Sequence, residues 1–516
     1  MLAGFPAALI TACFLPGHTR VGARSCCDTP LVEVHSLSNQ IRRSLALPGQ
    51  DHDARPMILD RLHFNKDTTR ELMHIALPMV VSQGTFAVMI FTDRYFMSQI
   101  DPTHMSAALG GGVAVFFSFC FFSGVFSYAN ALTAQYLGAG EIEKCPKVVS
   151  QGLIMTVMSV PLLAIIAVLV AGIFEGMGHD PVQVELERSY YLILMMGVVI
   201  TLAKICISSY FAGIGRSKIV MVCDVCGLIL NVPLSYAMVF GEFGFPELGI
   251  EGAAISTIIA TLFAFLLFVY FYLRKEHRDK FKVMQSFKLD RRILRRFMRL
   301  GLPSGAELFL NVAAFNIFLL MFQGYGIVEG ASAAIVFNWD ILSFVPMVGL
   351  NIGVVSLIGR FVGARDMERT NEVISAAFML GLTYSAVLAV TYITFRFALV
   401  AVFAPPVGDF SEILQLAGFM MVGLSSYAMA DAVIQVCGGV LRGAGDTRWL
   451  MIASVSLHWV MLVAQYFIIR VFEWGPRASW IAFVVLILVI AVVYAWRLQS
   501  GHWRDAEALN RVMAEA

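Results

Sequence analysis

Chemistry in this chain is concentrated in a few ionisable residues set within long apolar stretches. Asp431 follows Tyr427 by four residues, so both lie on one helical face and the phenol can orient the acid. Glu307 and Asn311 are likewise four residues apart, and Asp340 falls near the middle of another apolar run. A charge at the centre of a bilayer costs ~2.5–3.5 kcal/mol on insertion scales, which makes each acid a functional candidate. No cation is evident inside the same half, so the three acids are neutralised only by taking up H⁺ or a metal ion. Asp431 is therefore expected to hold a coupling ion, with Glu307 cooperating and Asp340 as further charge. Asn311 offers a neutral oxygen that suits Na⁺ without excluding H⁺. A transient Na⁺ at Asp431 and Glu307 is the one metal ion expected.

The first half holds a different set. Lys204 and Asp224 stand at similar distances on either side of Gly213-Ile-Gly215, so adjacent helices bring opposite charges to one depth. A structural ion pair is the favoured reading. Asp93 is followed by Arg94, and two readings stand: a functional intramembrane acid, or an interfacial pair whose Arg94 snorkels to the surface.

The elements that must carry these groups are membrane helices. Hydrophobic residues make up 58% of the 516 positions and charged ones only 14%, against about 25% charged in soluble domains. Hydropathy predicts spans at 77–99, 107–133, 148–173, 190–212, 218–241 and 251–273. A second set is predicted at 298–322, 331–357, 372–395, 413–438, 449–472 and 477–498. The two sets repeat one another. Ala212-Gly-Ile-Gly-Arg-Ser-Lys218 matches Arg442-Gly-Ala-Gly-Asp-Thr-Arg448 at an offset of 230 residues. Ile75-Ala-Leu-Pro78 matches Leu300-Gly-Leu-Pro303, and Gly138-Ala139 matches Gly363-Ala364, both at 225. Such duplication is how many secondary transporters are built.

The chain thus reads as an all-α polytopic membrane protein: twelve transmembrane helices as two repeated six-helix bundles, 57–273 and 294–500. A basic linker, 274–293, divides them, and 501–516 forms a tail. Residues 1–56 match no part of the repeat and are expected to be disordered, or translated upstream of a start at Met57. Lys144, Lys147, Arg216, Lys218, Arg360, Arg365, Arg369, Arg442 and Arg448 fall in short loops on the linker's side; the opposite side offers little beyond Arg188 and Arg477. By the positive-inside rule both termini and the linker are cytoplasmic; the bilayer is expected to be a plasma membrane, the inner membrane if the source is bacterial.

Other chemistry is absent. There is no phosphate-binding glycine loop, metal-ligand motif or catalytic triad, so neither an enzyme, a resident cofactor nor a nucleic-acid partner is expected. Cys223-Asp-Val-Cys226 has redox spacing but lies inside a predicted membrane helix, where buried thiols are the simpler reading. Pro161, Pro233 and Pro346 read as tolerated kinks, and His458 as a packed hydrogen-bonder.

Taken together the motifs resemble the multidrug and toxic compound extrusion (MATE) family of cation-coupled antiporters, across residues 66–500. The resemblance rests on Ala76-Leu77-Pro78 with Asp93 fifteen residues later, and on Gln135-Tyr-Leu-Gly-Ala-Gly140. It rests also on Phe240-Gly-Glu-Phe-Gly-Phe-Pro-Glu-Leu-Gly249 before Gly252-Ala253-Ala254, and on Tyr427-x-x-x-Asp431 with Arg442-Gly-Ala-Gly-Asp446. Asn231-Val-Pro-Leu234 is similar to the NorM-like branch, and Ser235 stands where the DinF branch carries an acid. In the NorM-like pattern the seventh-helix acid falls at Asn311, so Glu307 one turn earlier is expected to stand in for it. The resemblance implies a monomer with two bundles around a central cavity, a possible first-half site at Asp93 and Asn231, and export of small amphipathic organic cations against inward Na⁺ or H⁺. An acidic cavity lined by Met and Phe suits such cargo. A flippase for lipid-linked oligosaccharides, of the wider superfamily, is the alternative, for which a basic cavity is expected.

The leader is directly testable. A chain beginning at Met57 is expected to insert and transport like the full chain; loss of membrane insertion, read by fractionation, would contradict it.

Overall fold

The computed structural model describes residues 65–176, 180–404 and 410–513. The leader at 1–56 lies outside them. Among the described residues the fold is helical without strands, and twelve helical segments are long and apolar enough to cross a membrane.

In chain order the first half comprises α1 (Lys66–Ile100), α2 (Pro102–Ser127), α3 (Ala129–Gly138), α4 (Cys145–Ile173), α5 (Pro181–Gly213), α6 (Ser217–Phe240) and α7 (Gly249–Leu273). A short α8 (Lys275–Phe281) follows. The second half comprises α9 (Arg291–Gln323), α10 (Ile327–Gly363), α11 (Met367–Ala401), α12 (Ser411–Ala444), α13 (Thr447–Tyr466) and α14 (Pro476–Ser500). A final α15 (Ala506–Met513) completes the described chain. α2 and α3 are one span broken at Tyr128.

Helix starts follow from local chemistry. Asp101 and Asp180 each cap a helix that opens with proline, accepting the backbone N–H of Thr103 at 2.8 Å and of Val182 at 2.9 Å. Asn65 and Asp290 cap α1 and α9 in the same way. Capping explains the largest differences from the predicted spans: α1 starts at Lys66 rather than 77, α5 at Pro181 rather than 190, and α9 at Arg291 rather than 298. Hydropathy marks where apolar residues stop; a capped helix continues past them into polar turns.

The linker is more structured than its composition implies. His277 and Phe281 of α8 are buried, packing on Tyr210, Phe211 and Tyr272 of the first bundle. The His277 ring is hydrogen-bonded to the Tyr210 hydroxyl at 3.0 Å. Further along, Ser286 bonds to Ser150 at 3.2 Å and the Lys288 carbonyl accepts Gln151 at 2.9 Å. The segment is therefore docked on α4 and α5.

The bundles meet at the end that carries this linker. Gly138 of α3 lies against the backbone carbonyl of Arg360 in α10, while Gly363 of α10 lies against that of Gln135 in α3. A Cβ at either glycine would overlap the facing carbonyl. The contact is reciprocal and uses the repeat's matched glycines, so the duplicated helices cross each other about a pseudo-two-fold axis. Polar bonds reinforce it. Gln135 Nε2 donates to Gly443 O at 2.8 Å, Asn130 Nδ2 to Ile352 O at 3.1 Å, and Ser356 Oγ to Ala212 O at 2.8 Å. Arg296 donates to Gln135 Oε1 at 2.7 Å and lies over the Tyr136 ring.

The linker's histidine carries a pH prediction. Burial, with the charges of Arg216 and Lys280, lowers the His277 imidazole to about 4. The unfolded chain binds this proton near pH 6.5 and the folded chain near 4, so stability is lost as pH falls through that window. The effect is worth at most about 3 kcal/mol. His277→Phe is expected to flatten the fall of Tm between pH 7 and 4.5; an unchanged Tm–pH profile would refute it.

Candidate ion and substrate site

The second half brings Asp340 of α10 and Asp431 of α12 together, on the helices that also build the seal between bundles. Both carboxylates are half-buried, and they act electrostatically on one another. The Tyr427 hydroxyl interacts with both, Asp340 the more strongly. It is buried without a well-formed hydrogen bond. The Tyr427 ring is wedged against Trp480 at 6.2 Å and Phe483 at 5.8 Å, so the phenol is fixed in place. Two acids with a phenol beside them suit a small cation or a shared proton. Among the described residues no group of three or more His, Cys, Asp or Glu forms a ready metal cage.

Glu307 is placed elsewhere, which corrects the expectation that it lacks a counter-cation. Its Oε1 lies 2.8 Å from Arg442 Nη2, and the side chain is buried. The sequence puts Arg442 in a glycine turn, but α12 runs through it to Ala444, with Gly445 as the left-handed cap at φ 92°. Helical side chains lean toward the helix N-terminus, so Arg442 reaches back into the membrane rather than out to water. Arg442 follows Asp431 by eleven residues, or ~16 Å along the axis. Glu307 therefore serves Arg442, about three turns from the Asp340–Asp431 pair. Asn311 stays with Glu307: its amide donates to Ser454 Oγ at 2.7 Å, and its Oδ1 is buried without a partner.

In the first half Asp93 is buried and accepts Ser235 Oγ at 3.1 Å and Thr257 Oγ1 at 2.9 Å. Asn231 Nδ2 donates to the same threonine at 3.4 Å. The interfacial pair with Arg94 is not formed; consecutive residues point about 100° apart on a helix, and Asp93 faces α6 and α7. Ser235, which takes the place of an acid in the sequence pattern, works here as a donor. Thr257 carries no sequence signal.

Lys204 Nζ lies 3.0 Å from Asp224 Oδ1, and Ser82 Oγ donates to Asp224 Oδ2 at 2.5 Å. This trio stands in the wall of a cavity of about 580 Å³ between the bundles. Met79, Phe86, Phe116 and Phe344 supply apolar wall, while Asn351 and Arg442 supply polar groups from the second half. Asp93, Asp340 and Asp431 lie outside that wall. Asp93 in one half and the Asp340–Asp431 pair in the other are thus set apart from the shared cavity, so the expected acidic cavity is not found, and each half contributes one cation to its wall, already paired.

Twelve membrane helices in two repeated halves around a common cavity define a multi-pass membrane transporter. The chain belongs to the MatE family, whose model matches residues 78–237 and 303–467, one stretch in each repeat. It is similar to the multidrug resistance protein NorM of Photobacterium profundum, 26% identical over 462 residues, covering 87% of this chain and 100% of that protein. Multidrug resistance protein MdtK of Yersinia pseudotuberculosis is 24% identical over 437 residues, covering 83% of this chain and 95% of its own length. Among solved structures, MATE in a bent conformation superposes with a TM-score of 0.76 at 19% identity, over 85% of this chain and 96% of the other. A transporter of the MOP superfamily from Pyrococcus furiosus, described by the reversed polarity of its binding pocket, superposes at 0.78 with 18% identity, over 88% and 100%. At those identities the likeness is one of fold.

The cavity-wall trio yields a test. Lys204→Ala or Asp224→Ala leaves a charge uncompensated and is expected to cost about 1.5–3 kcal/mol, read as lower yield of folded protein. Exchanging the charges, Lys204→Asp with Asp224→Lys, is expected to restore part of the yield. Normal yield in both single variants would rule out the structural role.

Proposed function

We propose that this protein is a secondary active antiporter that exports small amphipathic organic cations in exchange for inward Na⁺ or H⁺. The observation that carries the reading is the Asp340–Asp431 pair with Tyr427, two half-buried acids beside a buried phenol, with no ion pair to either acid among the described residues. Like charges held close in a low dielectric repel, so one cation or proton between them stabilises the arrangement. Its arrival draws α10 and α12 together, and both helices reach the contact between the bundles. An inward gradient supplies ~2.3 kcal/mol per charge per 100 mV to that step. Asp93, with Ser235, Thr257 and Asn231, is the corresponding first-half site. Glu307 acts through Arg442 rather than as a direct ion ligand.

The NorM and MdtK relatives are multidrug resistance proteins, which supports organic cations as cargo here. The Met and Phe side chains of the wall can repack around unlike molecules. Basic loops favour a cytoplasmic position for the sealed end and for both termini, so the state described is closed inward and the exchange runs by alternating access of the two bundles. A plasma-membrane location and a monomer complete the reading.

The flippase alternative needs a net basic cavity. Here Lys204 is paired with Asp224 and Arg442 with Glu307, so the wall presents no free cationic pair for a pyrophosphate among the described residues. That disfavours the alternative.

Purified protein in liposomes separates these ideas. Asp431→Asn is expected to abolish efflux of a fluorescent organic cation driven by a Na⁺ or H⁺ gradient, with insertion near normal, and Asp340→Asn to do the same. Glu307→Gln is expected to lower folded yield as well as rate, because it strips Arg442 of its partner. Imposing each gradient alone identifies the ion. Full gradient-driven efflux by both aspartate variants would overturn the assignment.

A further inference from the structure

Arg291, Arg295 and Arg299 recur every four residues at the start of α9 and stack along one face of the helix. Arg448, in the first turn of α13, comes close enough for its charge to act on Arg299. With Leu294 and Met298, the four guanidiniums border an open recess of about 470 Å³ at the basic end of the bundle. Clustered like charges repel, and at several other places on this end the fold sets a carboxylate beside a cation. Lys147 has Asp290, Lys282 has Glu143, Arg360 and Arg369 have Glu71, and Arg497 has Asp446. Among the described residues nothing comparable reaches Arg291, Arg295 or Arg448.

The neighbouring Asp290 does not serve them. Its oxygens accept the Arg292 and Ile293 amides and the Lys147 ammonium, which also leaves the α9 N-terminus capped rather than open to an anion. The apolar side of the recess points to the missing partner. Leu294, Met298 and Leu302 follow at four-residue spacing, and Met298 and Leu302 are 40% and 39% exposed, so an apolar track leaves the arginines and descends the lipid-facing side of α9. A free phosphate satisfies the guanidiniums but makes no use of that track. A phospholipid uses both. Guanidinium forks match phosphate oxygens bidentately, and basic pockets between membrane helices are natural seats for anionic headgroups.

We propose that the recess between the starts of α9 and α13 binds the headgroup phosphate of an anionic phospholipid, with an acyl chain laid along Leu294, Met298 and Leu302. The lipid supplies a negative charge to Arg291, Arg295 and Arg448, which lack a carboxylate partner among the described residues. Because Arg296 on the same turn of α9 is bonded to Gln135, a lipid seated there also steadies the junction between bundles.

The test uses the full chain in a neutral detergent, titrated separately with phosphatidylglycerol, phosphatidylcholine and inorganic phosphate. Retained lipid is read by native mass spectrometry and stability by Tm. Phosphatidylglycerol is expected to be retained preferentially and to raise Tm, while phosphatidylcholine and inorganic phosphate do neither. Arg295→Gln with Arg448→Gln is expected to weaken phosphatidylglycerol retention about tenfold. Arg448→Gln alone, at an exposed first turn, is expected to show part of that loss and guards against misfolding of the double variant. Arg274→Gln with Lys275→Gln removes the same charge outside the recess and is expected to change nothing. Unchanged preference in both recess variants, equal loss in the control, or inorganic phosphate reproducing the Tm rise would each overturn the proposal.

Discussion

The structure depends on one backbone contact, the crossing of α3 and α10 in which Gly138 and Gly363 each meet the other helix's carbonyl. Two helices approach this closely only where neither carries a side chain, and in a membrane such packing substitutes for the hydrophobic effect that lipid cannot supply. The crossing closes one mouth of the cavity. It also sets where every other inter-bundle group lands: Gln135 reaches the end of α12, Ser356 the end of α5, and Arg296 the Gln135 side chain. Because both glycines come from equivalent places in the repeat, a single ancestral feature produces a symmetric seal.

The distribution of charge follows from that geometry. Cations at the cavity, Lys204 and Arg442, are each held by a carboxylate from a neighbouring helix, so the wall is polar without being strongly charged. The acids left over, Asp93 in one half and Asp340 with Asp431 in the other, are sequestered inside their own bundles. Asp93 accepts two hydroxyls, whereas Asp340 and Asp431 lie close enough for their charges to interact. One half therefore holds an acid met by neutral donors, and the other two acids that share a neighbourhood with one phenol. The duplicated halves thus differ in how their buried acids are met.

Much of this was legible in the chain itself. Twelve spans follow from length and hydropathy, because a bilayer admits little else than a run of about 20 apolar residues. The duplication follows from ordered matches such as Gly138-Ala139 with Gly363-Ala364, and the Lys204–Asp224 pair from two antiparallel helices joined by a tight turn. That Asp431 is a candidate at all follows from the cost of burying a charge, which holds whatever the neighbours are.

Partnership across distant segments was decided only by tertiary structure. Glu307 and Arg442 lie 135 residues apart, and nothing local indicates that α12 stays helical long enough to turn Arg442 back into the membrane. Thr257 became a ligand of Asp93 from 164 positions away, with a residue type too common to stand out. Tyr427 leans toward Asp340 on another helix as well as toward Asp431 one turn along its own. Sequence determined which groups must be neutralised, because that is a property of each residue and its solvent. Which partner does so depends on helix rotation and crossing, and those are set only when the bundles pack.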